Sequence, residues 1–232
     1  MTVAAIVPAA GRGTRLGPGA PKALRVLGGV PMLVYAVRAL AAARLVDRVV
    51  VAAPVDEVSE VTALLARSGP ADVLVVAGGA TRQESVALAL AVLDDDVDVV
   101  LVHDAARPLA PSELVDRVAA AVQAGAPAVV PGLPVTDTVK RVDAAGAVTE
   151  TLDRTALRAV QTPQGFRRDL LVQAHATGSA EDNATDDAAL VERLGRPVRV
   201  VPGHEEAFKV TRPLDLVLAE AVLQRRRVSR VS

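Results

Sequence analysis

Short runs of β-branched and other apolar residues alternate along the chain with stretches that repeat apolar positions every three or four residues. The runs are VAAIV at 3–7, RVVVAA at 48–53, DVLVV at 72–76, DVVLVH at 98–103, PAVVP at 127–131 and PVRVVP at 197–202. Continuous apolar runs of this length suit strands covered on both faces. Helical spacing occupies Met32 to Ala42, Glu57 to Arg67, Gln83 to Leu93 and Ser112 to Ala124. Alternation of the two patterns predicts an α/β fold, doubly wound around a mostly parallel sheet. The length, 232 residues, suits one such domain over 1–232.

Between Pro134 and Arg154 the period changes to two. PVTDTVKRV and AVTETLDR alternate apolar and polar residues around DAAG, where Gly146 supplies a positive φ. This predicts a hairpin arm over 134–154. An isolated two-stranded hairpin is marginal in water, so the arm is expected to pack on something, most simply a second copy of the chain; the other reading is pairing with an edge of its own sheet.

Composition narrows the partners. Half the residues are apolar, yet the aromatic residues are Tyr35, Phe166 and Phe208 alone, and the net charge is −1. Neither stacking platforms nor a basic field is available, which argues against nucleic acid. No cysteine occurs, which fits a reducing compartment. The N-terminal apolar run lacks a basic flank and breaks at Pro8, and no segment approaches the roughly 20 apolar residues of a membrane span, so a cytoplasmic location away from membranes is expected. Among 26 basic residues only Lys22, Lys140 and Lys209 are lysine. A compact ammonium differs from a guanidinium in reach and geometry, which draws attention to these three.

The stretch PAAGRGTRLGPGAPKAL, from Pro8 to Leu24, follows the first strand. In open parallel sheets ligands bind beyond the carboxyl ends of the strands where strand order reverses, and glycines let backbone approach an anion. Gly11, Gly13 and Gly17 come close to dinucleotide-fingerprint spacing, with Gly17 one position late, but Pro18 and Pro21 bar an immediate helix and the second strand ends without an acid. The Walker spacing is also absent. A long loop with Arg15 and Lys22 seven residues apart suits a triphosphate; a solvated Gly/Pro surface loop is the competing reading. Asp104, at the end of VVLVHD, belongs at the same crevice, where a carboxylate can share Mg²⁺ with substrate phosphates. Alone, such an Asp could merely close a turn.

Three other features are read as structural. LDDDVD at 93–98 suits a solvated turn, the basic tail QRRRVSRVS complements a helix C-terminus, and His175 and His204 have no partner nearby in sequence.

PAAGRGTRLG…PK, HDAARP, PVTDTVKRV, DRTALRAVQTPQGF, ATDDAALVE and FKVTRPLDLVLAE, in this order over nearly the whole chain, resemble the 2-C-methyl-D-erythritol 4-phosphate cytidylyltransferase family. The resemblance implies a Rossmann-like nucleotidyltransferase fold and the reaction of CTP with methylerythritol phosphate to give the CDP-alcohol and pyrophosphate. It also implies Mg²⁺ and a homodimer with interlocking arms. Carried over position by position, it makes Arg15 and Lys22 the groups that stabilise charge at the α-phosphate, and Asp104 a metal ligand. Ala9, Ala10, Gly11, Gly79, Ser85 and Ala105 fall on the nucleotide side. Arg107, Thr138, Thr162, Thr185 and Lys209 fall on the acceptor side, with Arg154 coming from the partner's arm. Two departures stand out: Glu206 followed by Ala207 replaces the family's acid and Asn, making the second expected metal ligand a longer Glu, and Ala80 follows Gly79 where an acid is usual.

The implied chemistry needs no general base, because a phosphate monoester with a second pKa of about 6 is already a nucleophile; His103 is then a bystander. Thr185 also suits a helix N-cap, with Asp186 and Asp187 in the first turn. The rival readings are a cytidylyltransferase for another polyol phosphate such as ribitol 5-phosphate, a nicotinamide-dependent dehydrogenase, and a catalytically silent nucleotide-binding module.

Overall fold

A computed structural model describes residues 1–11, 21–70, 72–177 and 185–228, apart from the side chain of Lys22. In chain order, β1 (Thr2–Pro8) is followed by the short pair β2 (Val26–Leu27) and β3 (Val30–Pro31), then α1 (Met32–Ala41), β4 (Arg48–Ala53), α2 (Val58–Ser68), β5 (Val73–Ala77), α3 (Arg82–Ala91) and β6 (Val97–Val102). The second half contains α4 (Ser112–Gln123), β7 (Ala128–Pro134), the arm strands β8 (Lys140–Val142) and β9 (Val148–Thr151), β10 (Arg158–Val160), β11 (Gln164–Arg167), α5 (Arg168–Thr177), α6 (Asp187–Arg193), β12 (Arg199–Pro202) and α7 (Pro213–Val228).

The main sheet runs β10-β7-β11-β6-β1-β4-β5, with β12 on β7. β1 pairs in parallel with both β4 and β6, β4 with β5, and β7 with β12. Only β10 and β11 run against the rest. Val129 faces Gly165 of β11 and Arg199 of β12, while Gly132 faces Val160 of β10 and Pro202 of β12. One side of β7 is therefore shared end to end by β10 and β11, and β12 takes the other.

Alternate residues of β1 enter two different cores. Val3, Ala5 and Val7 pack with α1, α2 and α4, whereas Ala4 and Ile6 pack with α3, α5 and α6. This period-two division with helices on both faces is the doubly wound arrangement. Fully burying one Val or Leu contributes about 1.5–3 kcal/mol, so a core of small aliphatic residues suffices without many aromatics. α7 lies apart, covering Met32, Leu27 and Leu109 with Ala219 and Val222.

The reversed strand β11 is one element that the hydrophobic pattern does not announce. It is four residues long, follows Pro163, and contains Gln164 and Gly165. Gly165 is there because α4 lies directly against it: a Cβ would sit 2.7 Å from Val118 Cγ1 and 3.0 Å from Val122 Cγ2.

Within 134–154 the chain forms a hairpin. β8 and β9 pair antiparallel, and Gly146 takes φ +83° in the turn, where the Asp143 carboxylate accepts from the amides of Ala145 and Ala147, each at 2.9 Å. The two strands form a sheet separate from the main one, and their residues are exposed.

Candidate active site

Strand order reverses at β1, which has β4 and β5 on one side and β6 on the other. The chain segments leaving β1, β5 and β6 enclose one cleft beyond their carboxyl ends, lined by Ala9, Ala10, Gly11, Gly79, Ser85, Asp104, Ala105 and Lys209. Arg82, which the motif reading passed over, lines it too.

Each wall has a local cause. The loop after β5 is drawn tight by the start of α3: Thr81 accepts from the Glu84 amide at 3.0 Å, and the Glu84 side chain accepts from the Thr81 amide at 3.1 Å, a reciprocal capping box. Ser85 is buried, accepts from the Gly79 amide at 3.1 Å and donates to the Thr81 carbonyl at 2.9 Å. A Cβ on Gly79 would fall 2.4 Å from Glu84 Cβ, so only glycine allows this closeness. Opposite, the Lys22–Leu24 turn brings Ala23 to the cleft. Arg15 and the side chain of Lys22 lie outside the described residues.

Asp104 is the electrostatic centre. Its Oδ2 is 2.7 Å from Lys209 Nζ and its Oδ1 is 3.2 Å from Arg82 Nε. Burial by itself would raise its pKa, but the charges of Arg82 and Lys209, the Lys209 hydrogen bond and Arg107 hold it well below the usual carboxylate range. It is ionised throughout the physiological range.

The turn that carries Asp104 is fixed from beneath. The Asp104 amide donates to Thr162 Oγ1 at 3.0 Å, Thr162 Oγ1 meets His103 Nδ1 at 3.1 Å, and His103 Nε2 meets the Arg107 carbonyl at 3.2 Å. A carbonyl can only accept, so the proton is assigned to Nε2, leaving Nδ1 to receive the Thr162 hydroxyl. Burial pushes His103 down to about 4, so the neutral tautomer persists. Thr162 and His103 are both buried, and the Thr162 oxygen is committed to this chain of bonds.

Other expected residues are placed differently. Arg107, Thr138, Arg154, Thr162, Thr185 and Glu206 are not part of the cleft lining formed by the described residues. Arg107 reaches across to the carbonyls of Ala207 at 2.7 Å and Val160 at 3.2 Å, and burial lowers its pKa against the pull of Asp104. Thr138 is exposed at the root of the arm, and Arg154 bonds the Thr136 carbonyl there. Thr185 is exposed, and the N-cap of α6 is not Thr185 but Asp186, whose side chain accepts from the Ala189 amide.

Glu206, expected as a second metal ligand, is instead held by Arg225 and Arg226 of α7. Burial would raise its pKa, but these two guanidiniums lower it. No group of three or more metal-binding side chains occurs among the described residues. His175, expected at the surface or in packing, is buried against Asp187, with Nε2 3.0 Å from Oδ1. His204 caps the 205–207 turn by accepting from the Glu206 amide. Of the acidic run at 93–98, Asp94 and Asp96 pair with Arg48 and Asp95 with Arg168.

A carboxylate flanked by cations at the switch point gives this doubly wound sheet the organisation of a Rossmann-like α/β nucleotidyltransferase. Residues 3–225 match the family described as 2-C-methyl-D-erythritol 4-phosphate cytidylyltransferase, and the chain belongs to that family. A relative of that name from Streptomyces avermitilis is 63% identical, over 97% of this chain and 93% of its own. One from Frankia casuarinae is 64% identical, over 96% and 82%. The crystal structure of the enzyme of that name from Thermus thermophilus superimposes with a TM-score of 0.78 at 40% identity, covering 97% of this chain and all of its own (100%).

Proposed function

We propose that this chain transfers CMP from CTP to 2-C-methyl-D-erythritol 4-phosphate, giving 4-diphosphocytidyl-2-C-methyl-D-erythritol and pyrophosphate in the non-mevalonate route to isoprenoid precursors. The observation that carries the reading is Asp104, kept ionised at the cleft between Arg82 and Lys209. An acceptor phosphate oxygen forms the new bond to the α-phosphorus, and the bond from that phosphorus to the bridging oxygen of pyrophosphate breaks. Both reactants are anions, so positioned positive charge is the appropriate catalyst and no base is required. Arg15 and Lys22 take the charge that develops at the α-phosphate. The backbone at Ala9, Ala10 and Gly11, with Gly79, Ser85 and Ala105, receives the nucleotide. Lys209 and Arg107 attract the acceptor phosphate, with Thr138 and Thr185 at its rim.

A hard divalent cation fits the donor set, since Mg²⁺ commonly takes one or two carboxylates and completes its shell with phosphate oxygens and water. Asp104 would hold it, and Glu206 would not. When bound, Mg²⁺ would neutralise the triphosphate. The exposed, self-paired arm supports a homodimer in which Arg154 of each chain reaches the other's acceptor side. Among the described residues no helix is long and apolar enough to cross a membrane, and a cytoplasmic location suits a CTP-dependent biosynthetic step.

The test is pyrophosphate release with each of the four ribonucleoside triphosphates against methylerythritol phosphate and ribitol 5-phosphate, with and without Mg²⁺. Magnesium-dependent release with CTP and the first acceptor is expected. Release with ribitol 5-phosphate instead would overturn the acceptor assignment, and none with CTP would overturn the reaction.

A further inference from the structure

Behind Asp104 the described residues continue inward as a line of alternating charge that the reaction above does not use. Arg82 Nη1 is 2.7 Å from Asp187 Oδ2, and Asp187 Oδ1 is 3.0 Å from His175 Nε2. Asp187 and His175 have side chains only 1% and 4% exposed, whereas the Arg82 side chain is 31% exposed and lines the cleft. Arg82 thus spans two carboxylates, and its shorter contact is with the buried one, against 3.2 Å to Asp104.

A buried ion pair gains little stability over well-packed apolar residues, so stability alone does not account for this one. Its effect on Arg82 is geometric. A guanidinium released from one carboxylate can close on another through two parallel N–H groups, the strongest arrangement available to it. Arg82 meets Asp187 through Nη1 and donates to Asp104 through Nε, one contact to each carboxylate. α6, which carries Asp187, is itself anchored: Gln164 Nε2 donates to Asp186 Oδ2 at 2.7 Å, and Gln164 Oε1 accepts from the Ala188 amide at 3.2 Å.

We infer that Asp187, oriented by His175, is a positioning residue that holds Arg82 back from Asp104 so that the Asp104 carboxylate can be shared with a divalent cation. The inference rests on the reading of Asp104 as the metal ligand. Neutralising Asp187 lets Arg82 close onto Asp104 and compete with the cation, and loss of such supporting groups commonly weakens metal binding about 10-fold or more.

Calorimetric titration of CTP into the full-length protein, in excess Mg²⁺ and in EDTA, reads the gain in nucleotide affinity that the metal provides, without turnover. Asp104→Asn should abolish that gain. Asp187→Asn should cut it roughly 10-fold and His175→Phe, which keeps a ring but removes the donor, several-fold. The double variant Arg82→Gln/Asp187→Asn should retain as much of the gain as Arg82→Gln alone, because Asp187 acts through Arg82. Should Asp187→Asn fail to fold, His175→Phe and the double variant, which removes both charges of the pair, decide the matter. Loss of the gain in Asp104→Asn with full gain in the Asp187 and His175 variants overturns the inference and spares the metal ligand. Full gain in Asp104→Asn overturns the metal reading itself, and this inference with it.

Discussion

Thr162 Oγ1 lies 3.1 Å from His103 Nδ1 while accepting the amide of Asp104 at 3.0 Å, so one buried hydroxyl ties an imidazole to the backbone of the carboxylate residue. Thr162→Val keeps the shape and removes both bonds. An unsatisfied buried polar group costs about 1–3 kcal/mol, so chemical denaturation should show a loss in that range. Thr162→Ser should restore most of it. If turnover falls with stability in the valine variant and returns in the serine variant, Thr162 acts by fixing Asp104.

His103 gives the fold a dependence on pH with a definite sign. Its folded pKa is depressed to about 4 from 6.5, so below 6.5 the unfolded chain takes up a proton that the folded chain refuses. Stability from this group is complete above pH 6.5 and is lost as pH falls toward 4, at about 1.4 kcal/mol per unit and about 3 kcal/mol in all. Unfolding free energies measured from pH 7 to 4 should fall accordingly, and His103→Gln should flatten that slope. The depressed Asp104 carboxyl acts separately, since its stabilising contribution is lost only as pH drops below its unfolded value of 3.8.

Gly79→Ala tests the wall on the nucleotide side. The added carbon would lie 2.4 Å from Glu84 Cβ and 2.8 Å from Glu84 Oε2, within the capping box of α3. Relief requires the loop or the cap to move, and losing a cap costs about 1 kcal/mol. The expected result is a higher KM for CTP with a smaller effect on the acceptor KM, measured by pyrophosphate release, and a lower melting temperature.

The parts of this architecture that follow a repeating rule are legible in the chain. Val3 to Val7, Val49 to Ala53 and Val99 to Val102 are apolar on both faces because helices cover both, and Asp104 stands out because it ends such a run. Gly146 is legible because the arm's turn requires a positive φ. Gln164 to Arg167 is hidden because its place in the sheet is set by pairing with β6 and β7, distant in sequence. Arg82, His175 and Asp187 are hidden for the same reason: each looks like an ordinary helical residue, and only the fold brings them together. The stretch GGATRQES at 78–85 puts Arg82 at a helix start beside Gly79 and Ser85, and that is the available signal. Glu206 has the sequence neighbours expected of a ligand, while its partners in space, Arg225 and Arg226, come from the C-terminal helix.

Glu206→Gln separates these two accounts of the residue. Its carboxylate fastens the 205–207 turn to α7, Arg226 also donates to the Leu109 carbonyl at 2.7 Å, and the turn's Ala207 carbonyl receives Arg107. Weakening that fastening should shift Arg107 and Lys209 and raise the acceptor KM, leaving the Mg²⁺ concentration for half-maximal turnover unchanged. A large rise in the magnesium requirement would restore Glu206 as a ligand.

Lys22→Ala addresses the chemical step. The Lys22–Leu24 turn places the lysine's backbone beside the cleft through Ala23. Negative charge at the α-phosphate is greatest in the transition state, so a cation directed there lowers the barrier more than it tightens the ground state. Removing a comparable donor from a preorganised site costs about 10²–10³ in kcat. Steady-state kinetics at saturating Mg²⁺ should show a kcat loss of roughly that size, with a smaller change in the KM for CTP. Equal losses in kcat and kcat/KM would mean a contact made only in the transition state, whereas a raised KM at constant kcat would make Lys22 a binding residue alone.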